Sequence, residues 1–304
     1  MTDTKVLVGI PTYDAGAHIN LMASLLNEMS APGSPPFRVA THISSLLAFT
    51  CNALWVTALN NRAEFTHFLM IHADVLPNEP GFIGKMLAEM EAQHCDVLSV
   101  VLPIKDDKGL ASTAFVPDAR YAGLKTDPVR RRRLTLREVD GLPETFGVGD
   151  VAELFDVGYA PDPCLLVNTG LMLVSMTGKW VEKVRFQIND VVYRKPDGQF
   201  DVDVEPEDWF FSRMAYLAGA RVFATRAVKA RHAGRAQFPN WGAWGRLEHD
   251  LPEGNHAGGN HAGLPEGNHA GLPEGNHAGL PQQEEPNETV LQERLRQHSL
   301  EAAL

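Results

Sequence analysis

Four short apolar runs alternate with helix-length stretches between residues 6 and 102, and this alternation constrains the fold more than any other feature. Val6–Ile10 closes at Pro11. Phe37–Ile43 follows a break at Pro32, Pro35 and Pro36. Phe65–His72 runs into Ala73-Asp74, and Asp96–Leu102 stops at Pro103. Between them Ala17–Met29, Leu46–Asn60 and Gly81–Gln93 carry helical patterns. Strands alternating with helices predict an α/β fold with a mostly parallel central sheet covered on both faces. Open sheets of this kind bind ligands beyond the C-terminal ends of their strands. Asp74, the carboxylate that follows a buried strand, is therefore a candidate site residue.

The pattern weakens from Lys105 to Pro163. That stretch holds Arg130-Arg131-Arg132-Arg133 and many Gly, Pro and Asp residues, and it reads as an insertion of short strands and loops over 105–163. Strand character returns over Leu165–Val174, interrupted by Asn168-Thr169-Gly170. Asp208–Ala218 reads as a helix and Arg221–Ala224 as a strand, so the globular part is expected to span 1–250. Leu251–Gly258, Leu264–Gly271 and Leu272–Gly279 each spell Leu-Pro-Glu-Gly-Asn-His-Ala-Gly. A repeat with one Pro and two Gly has too little apolar surface to fold alone, so 251–283 reads as a flexible linker. Its histidines read as spacer residues rather than metal ligands. Residues 284–304 are expected to hold an amphipathic helix, with Val290, Leu291, Leu295 and Leu300 as its apolar positions; it would suit docking or homo-oligomer formation.

The net charge of −11 is uneven: residues 251–304 hold eight acidic and two basic side chains, which leaves −5 for the body. A mildly acidic body argues against a general nucleic-acid binder. Arg130–Arg133 is the exception. Without interleaved aromatics it reads first as a solvated face, and it keeps a polyanionic acceptor open. Cys51, Cys95 and Cys164 are odd in number and unpaired in spacing, so they read as reduced thiols. No signal peptide and no run of transmembrane length is seen, and a cytoplasmic setting is expected.

Several other residues carry chemistry. Pro11-Thr12-Tyr13-Asp14 ends the first strand with backbone amides, a hydroxyl, a ring for stacking and a carboxylate; the alternative is an ordinary capped loop. Glu207-Asp208 opens a helix, whose positive end favours carboxylates, and reads either as a helix cap or as a catalytic pair. His232 lies just past a late strand, where it is either filler or a second metal ligand.

In order and rough spacing, Pro11-Thr12-Tyr13, Cys51-Asn52, His72-Ala73-Asp74, Asn168–Met172, Glu207–Phe211 with Arg213 and Gly219, and His232-Ala233-Gly234 resemble the GT-A glycosyltransferases, especially the family-two-like branch. The resemblance spans roughly Val6 to Gly234. It implies a Rossmann-like sheet, a nucleotide-diphosphate sugar such as a UDP-sugar as donor, and a divalent metal, Mn2+ or Mg2+. A hexosyl or related group would pass to an acceptor hydroxyl of a glycan, a protein or modified DNA. By this resemblance Pro11, Thr12, Tyr13 and Asp14 border the nucleotide, and Asn52 contacts base or ribose. Asp74 binds the metal and His232 completes its site. Asn168–Gly170 forms part of the sugar or acceptor pocket. Asp208 is the base, with Glu207 beside it. Two positions depart from the family pattern. His72 stands at the first place of its Asp-any-Asp motif, where it would bond the ribose or the metal. Cys51 stands where an Arg often precedes the Asn.

Three other readings remain. One is a phage-type DNA glycosyltransferase acting on a modified base. Another is a non-catalytic nucleotide-sugar binder, with His72 as the mark of lost activity. The third, a sugar nucleotidyltransferase, would need a Gly-rich loop and a basic residue after Ile10, and neither is present.

Overall fold

The computed structural model describes residues 4–120, 131–155, 162–234 and 236–245. The repeat linker and the C-terminal helix expected from the sequence lie outside them, as does Arg130. In chain order the strands are β1 (Val6–Thr12), β2 (Phe37–Ile43), β3 (His67–Ile71), β4 (Val75–Pro77), β5 (Val97–Val100), β6 (Leu110–Val116), β7 (Arg132–Thr135), β8 (Thr145–Gly147), β9 (Cys164–Leu166), β10 (Leu171–Ser175), β11 (Asn189–Arg194), β12 (Phe200–Glu205), β13 (Val222–Thr225), β14 (Ala230–Ala233) and β15 (Gln237–Pro239). The helices are α1 (Ile19–Glu28), α2 (Leu47–Asn60), α3 (Phe82–Gln93), α4 (Leu136–Asp140), α5 (Val148–Leu154) and α6 (Glu207–Leu217).

Seven strands form the central sheet in the order β2-β1-β3-β10-β5-β13-β8. β1 pairs parallel with β2 and β3, and β13 pairs parallel with β5. β10 runs antiparallel to both of its neighbours, and β8 runs antiparallel to β13. The fold is thus mixed α/β with a mixed sheet, which corrects the expectation of a mostly parallel one. The cause is local. Asn168-Thr169-Gly170 separates β9, which belongs to another sheet, from β10, so no crossover helix precedes β10 and it enters reversed.

Strand alternation divides the core in two. Leu7, Phe68, Met70, Met172 and Val174 face one way and pack with Leu54 and Trp55 of α2 and Phe211 of α6. Val6, Val8, Ile10, Leu69, Ile71 and Leu173 face the other way and pack with Leu21 and Leu25 of α1 and Phe82, Ile83 and Met86 of α3. A buried carboxylate joins α1 to α3. Glu28 accepts from the backbone N–H groups of Gly81 (2.6 Å), Phe82 (3.1 Å) and Ile83 (3.0 Å) and from the Ser34 hydroxyl (2.7 Å). It satisfies orphan donors at the α3 N-terminus, where the helix dipole also favours an anion. Gly81 holds φ +82° there, a left-handed conformation that suits glycine.

Within the insertion β6 and β7 join β9, which follows it, in an antiparallel sheet, β7-β6-β9, and β8 goes to the edge of the main sheet. A third sheet, β15-β14-β4, sets His232 opposite Val75. That pairing carries residue 232 to the end of β3. Cys51, Cys95 and Cys164 are free and buried. No helix among the described residues is long and apolar enough to cross a membrane.

Candidate active site

A cleft of about 760 Å³ opens at the C-terminal ends of β1 and β3. Its walls include Pro11, Thr12, Tyr13, Asp14, His72, Asp74 and His232, seven of the site residues expected from three separate parts of the sequence. Parallel pairing of β1 with β3 brings the first loop beside His72–Asp74, and the β4–β14 pairing adds His232. His18 at the α1 N-terminus, Ser44, Ser45 and Lys105 are also in the lining.

In the cleft wall Asp74, Lys105 and His232 form a triangle. Lys105 Nζ donates to Asp74 Oδ2 at 2.5 Å, and His232 Nε2 stands 3.7 Å from Asp74 Oδ1. Burial alone would raise the Asp74 carboxyl. The hydrogen bond from Lys105 and the nearby His232 outweigh it and hold the group below the usual aspartate range. The His232 ring nitrogen Nδ1 lies 2.9 Å from the Pro103 carbonyl oxygen. A carbonyl only accepts, so Nδ1 carries the proton in this arrangement. Burial lowers the His232 pKa and favours the neutral ring, which leaves Nε2 as a lone pair aimed toward Asp74 Oδ1. Two acceptors thus face each other, a donor set that fits a divalent cation with an oriented imidazole and a carboxylate. Among the described residues no group of three or more His, Cys, Asp or Glu side chains could hold a metal. Any ion here would take its remaining ligands from water or a bound ligand.

His72 is held to about 4 by burial, so its ring is neutral, and its Nε2 lies 3.1 Å from the Thr169 hydroxyl. Tyr13 presents an exposed ring. Asp14 Oδ1 accepts from the Gly16 N–H at 3.0 Å, and the Thr12 hydroxyl donates to the His42 carbonyl at 3.3 Å. Neither residue caps α1, whose N-cap is His18; these local bonds hold them inside the cleft wall instead.

Four expected residues lie elsewhere. Asn52 turns away from the cleft: its amide donates to Phe186 O (2.7 Å) and its carbonyl accepts from Phe186 N (2.9 Å). Gly170 is packed beneath it. A Cβ there would come 2.5 Å from Leu102 Cδ1, and its carbonyl accepts from His72 N–H at 2.9 Å. Its neighbour Asn168 spends its side chain on Val100 O and Gly170 N. Glu207 and Asp208 open α6 outside the cleft lining. Burial, with the Glu207 charge beside it, pushes Asp208 up to about 7 against the pull of Arg133. Burial raises Glu207 too. Arg133 lies within electrostatic reach of both Asp208 and Asp106, the residue after Lys105.

Lys105 was not among the expected site residues. Its signal is the one that marks Asp74: a charged residue just beyond the C-terminal end of an apolar run. The arginine run is also corrected. Arg131 and Arg133 turn inward, and of the three described arginines Arg132 stays exposed. Arg131 makes a buried ion pair with Asp203 at 2.5 Å. Arg132 pairs with Glu138 and lies over the Phe155 ring. Arg133 stacks 4.3 Å from the Trp209 centroid and donates to Ser112 O. Side chains committed in this way offer little to a phosphate backbone. A larger hollow of about 1230 Å³, lined by Lys5, Arg62, Thr66, Lys179 and Lys183 among others, opens at the opposite edge of the sheet. It contains none of the expected site residues and lies at the N-terminal strand ends, away from where open α/β sheets bind ligands.

No protein-family profile and no curated protein matches this chain. Among solved structures, the crystal structure of A197 from STIV aligns over 82% of this chain and 100% of its own, at 13% identity and a TM-score of 0.43. Apo UDP-glucose pyrophosphorylase covers 75% of this chain and 76% of its own, at 10% identity and 0.32. HddC from Yersinia pseudotuberculosis covers 75% and 92%, at 12% identity and 0.30. Likenesses this remote decide nothing about the site.

Proposed function

We propose that the protein is a GT-A-type glycosyltransferase that takes a sugar from a nucleotide-diphosphate sugar bound in the β1–β3 cleft. The observation that carries this reading is the Asp74–His232–Lys105 triangle beside an exposed tyrosine and the N-terminus of α1. A nucleotide diphosphate asks for this combination: a flat ring for the base, and positive charge and backbone dipoles for the phosphates. Asp74 and His232 would hold a divalent cation, which when bound neutralises charge on the departing diphosphate. Lys105 supplies a second positive group at the same point and screens the leaving oxygens as the sugar–phosphate bond breaks. Asp208 lies outside the cleft lining, and in this reading it accepts the proton of an acceptor hydroxyl that reaches past the cleft toward the start of α6, as the new glycosidic bond forms. A carboxyl held near 7 suits that work at neutral pH.

Calorimetry with UDP and with GDP, each with and without Mn2+, tests the reading. One nucleotide should bind, and manganese should tighten it. Asp74→Ala should weaken the manganese-dependent part by at least ~10–100-fold, the scale of lost metal-site support. Binding of neither nucleotide overturns the proposal. Binding without slow metal-dependent release of the diphosphate from any sugar nucleotide would leave a non-catalytic binder.

A further inference from the structure

The hairpin β11–β12 has its polarity reversed. Cross-strand pairing sets Asp190 opposite Val204, Val192 opposite Val202, and Arg194 opposite Phe200, so these six side chains share one face. All six are exposed. Val192 is 74% exposed, Phe200 73%, Val202 50% and Val204 43%. The other face carries the acids. Asp203 pairs with Arg131 at 2.5 Å, and Glu205 takes two bonds from Arg213, both at 2.7 Å. Asn189 adds a bond to Glu205 at 2.9 Å. Asp203 and Glu205 therefore point toward the body, while four apolar side chains flanked by Asp190 and Arg194 point toward water. A cluster of uncovered apolar side chains on a sheet face is the mark of an interaction surface. No described element covers it.

We infer that this face stacks on the same face of a second copy, across a two-fold axis that lies in the interface and runs perpendicular to the strands. The charges choose that operator. It places Asp190 against the partner's Arg194, and Arg194 against the partner's Asp190. It also puts Val192 on the partner's Val192, Val202 on the partner's Val202, and Phe200 against the partner's Val204, a large side chain against a small one. An axis along the strands would set both charged residues against apolar ones. Arg194 is already held near this position, with its Nε on the Gly198 carbonyl at 2.9 Å and its guanidinium 5.8 Å from the Phe200 centroid. Six side chains a side fall well short of the roughly 20–30 in a standard interface, so the dimer is weak and concentration-dependent. The inference stands apart from the catalytic reading.

Sedimentation velocity of the full chain, from low micromolar to several hundred micromolar, tests it. The wild-type protein should shift from monomer to dimer over that range. Val192→Asp puts a charge in the apolar centre and should raise the dissociation constant at least ~10-fold. Val192→Thr keeps strand propensity and should have a smaller effect in the same direction. Asp190→Arg and Arg194→Asp should each weaken the dimer, and the two together should restore it, because each swapped charge again meets its opposite. A monomer at every concentration overturns the inference. So does a dimer indifferent to Val192→Asp, and so does a double charge swap that fails to recover.

Discussion

Replacing Asp208 with Asn should raise stability while it removes activity. The carboxyl is held at about 7 rather than 3.8, chiefly by burial and then by the Glu207 charge. The folded protein therefore keeps this proton longer than the unfolded chain. Below pH 3.8 both states are protonated and the site costs nothing. As pH rises from there toward 7, stability is lost, and above 7 the full penalty applies. At about 1.4 kcal/mol per pH unit, the ceiling is roughly 4 kcal/mol. Partial exposure of Asp208 and its coupling to Glu207 reduce this, and about 1–3 kcal/mol is expected. Asparagine removes the charge but keeps Oδ1, which accepts the Trp209 N–H at 2.8 Å. Urea denaturation of both proteins at pH 4.5, 6 and 8 measures the effect. The two should differ least at pH 4.5, and the variant should exceed the wild type increasingly toward pH 8. Transfer, once a donor and acceptor are in hand, should fall by ~10²–10⁴-fold. A stability difference that is flat across pH, or of the opposite sign at pH 8, would refute the account of a carboxylate held at a cost.

Three further outcomes follow from the geometry. Glu28→Ala leaves three N–H groups at the α3 N-terminus, two of them buried, without their acceptor, and should cost ~3 kcal/mol or more in chemical denaturation. Arg213→Ala strands Glu205 as a buried charge and should cost about 3–5 kcal/mol by the same measurement. Gly170→Ala drives a methyl into Leu102 and should lower stability by about 1–3 kcal/mol, with nucleotide binding weakened through the displaced His72.

Much of the first half was legible in the sequence because each element there is long and apolar on a fixed period. β2 has the expected bounds, and α2 and α3 differ from theirs by one residue at the start. The cleft was legible for the same reason: strand ends mark the sheet edge, so Pro11–Asp14 and His72–Asp74 had to lie together once β1 and β3 paired. Asn52 was not, since only tertiary packing reveals that both ends of its amide are spent on Phe186. The reversed β10 hid behind a composition that reads the same in either direction. β4 has three residues, too few to show a period. The hairpin had a signal, the strict alternation Phe200-Asp201-Val202-Asp203-Val204-Glu205. Ordinary patterning places such charges in water, and here Asp203 and Glu205 meet Arg131 and Arg213 instead.

The reversed strand at the centre of the sheet has a bearing on synthesis. A chain leaves the ribosome N-terminus first, at ~5–20 residues per second. β1, β2 and β3 can assemble as soon as Ile71 has emerged, and β5 is complete at Val100. Neither β3 nor β5 has its shared neighbour until the strand from Leu171 to Ser175 arrives. For on the order of 4–15 s per molecule, two apolar strands present raw edges to whatever else is being made nearby. Those edges flank the slot that becomes the middle of the finished sheet, so the early half of this chain is where a holdase chaperone would find its grip.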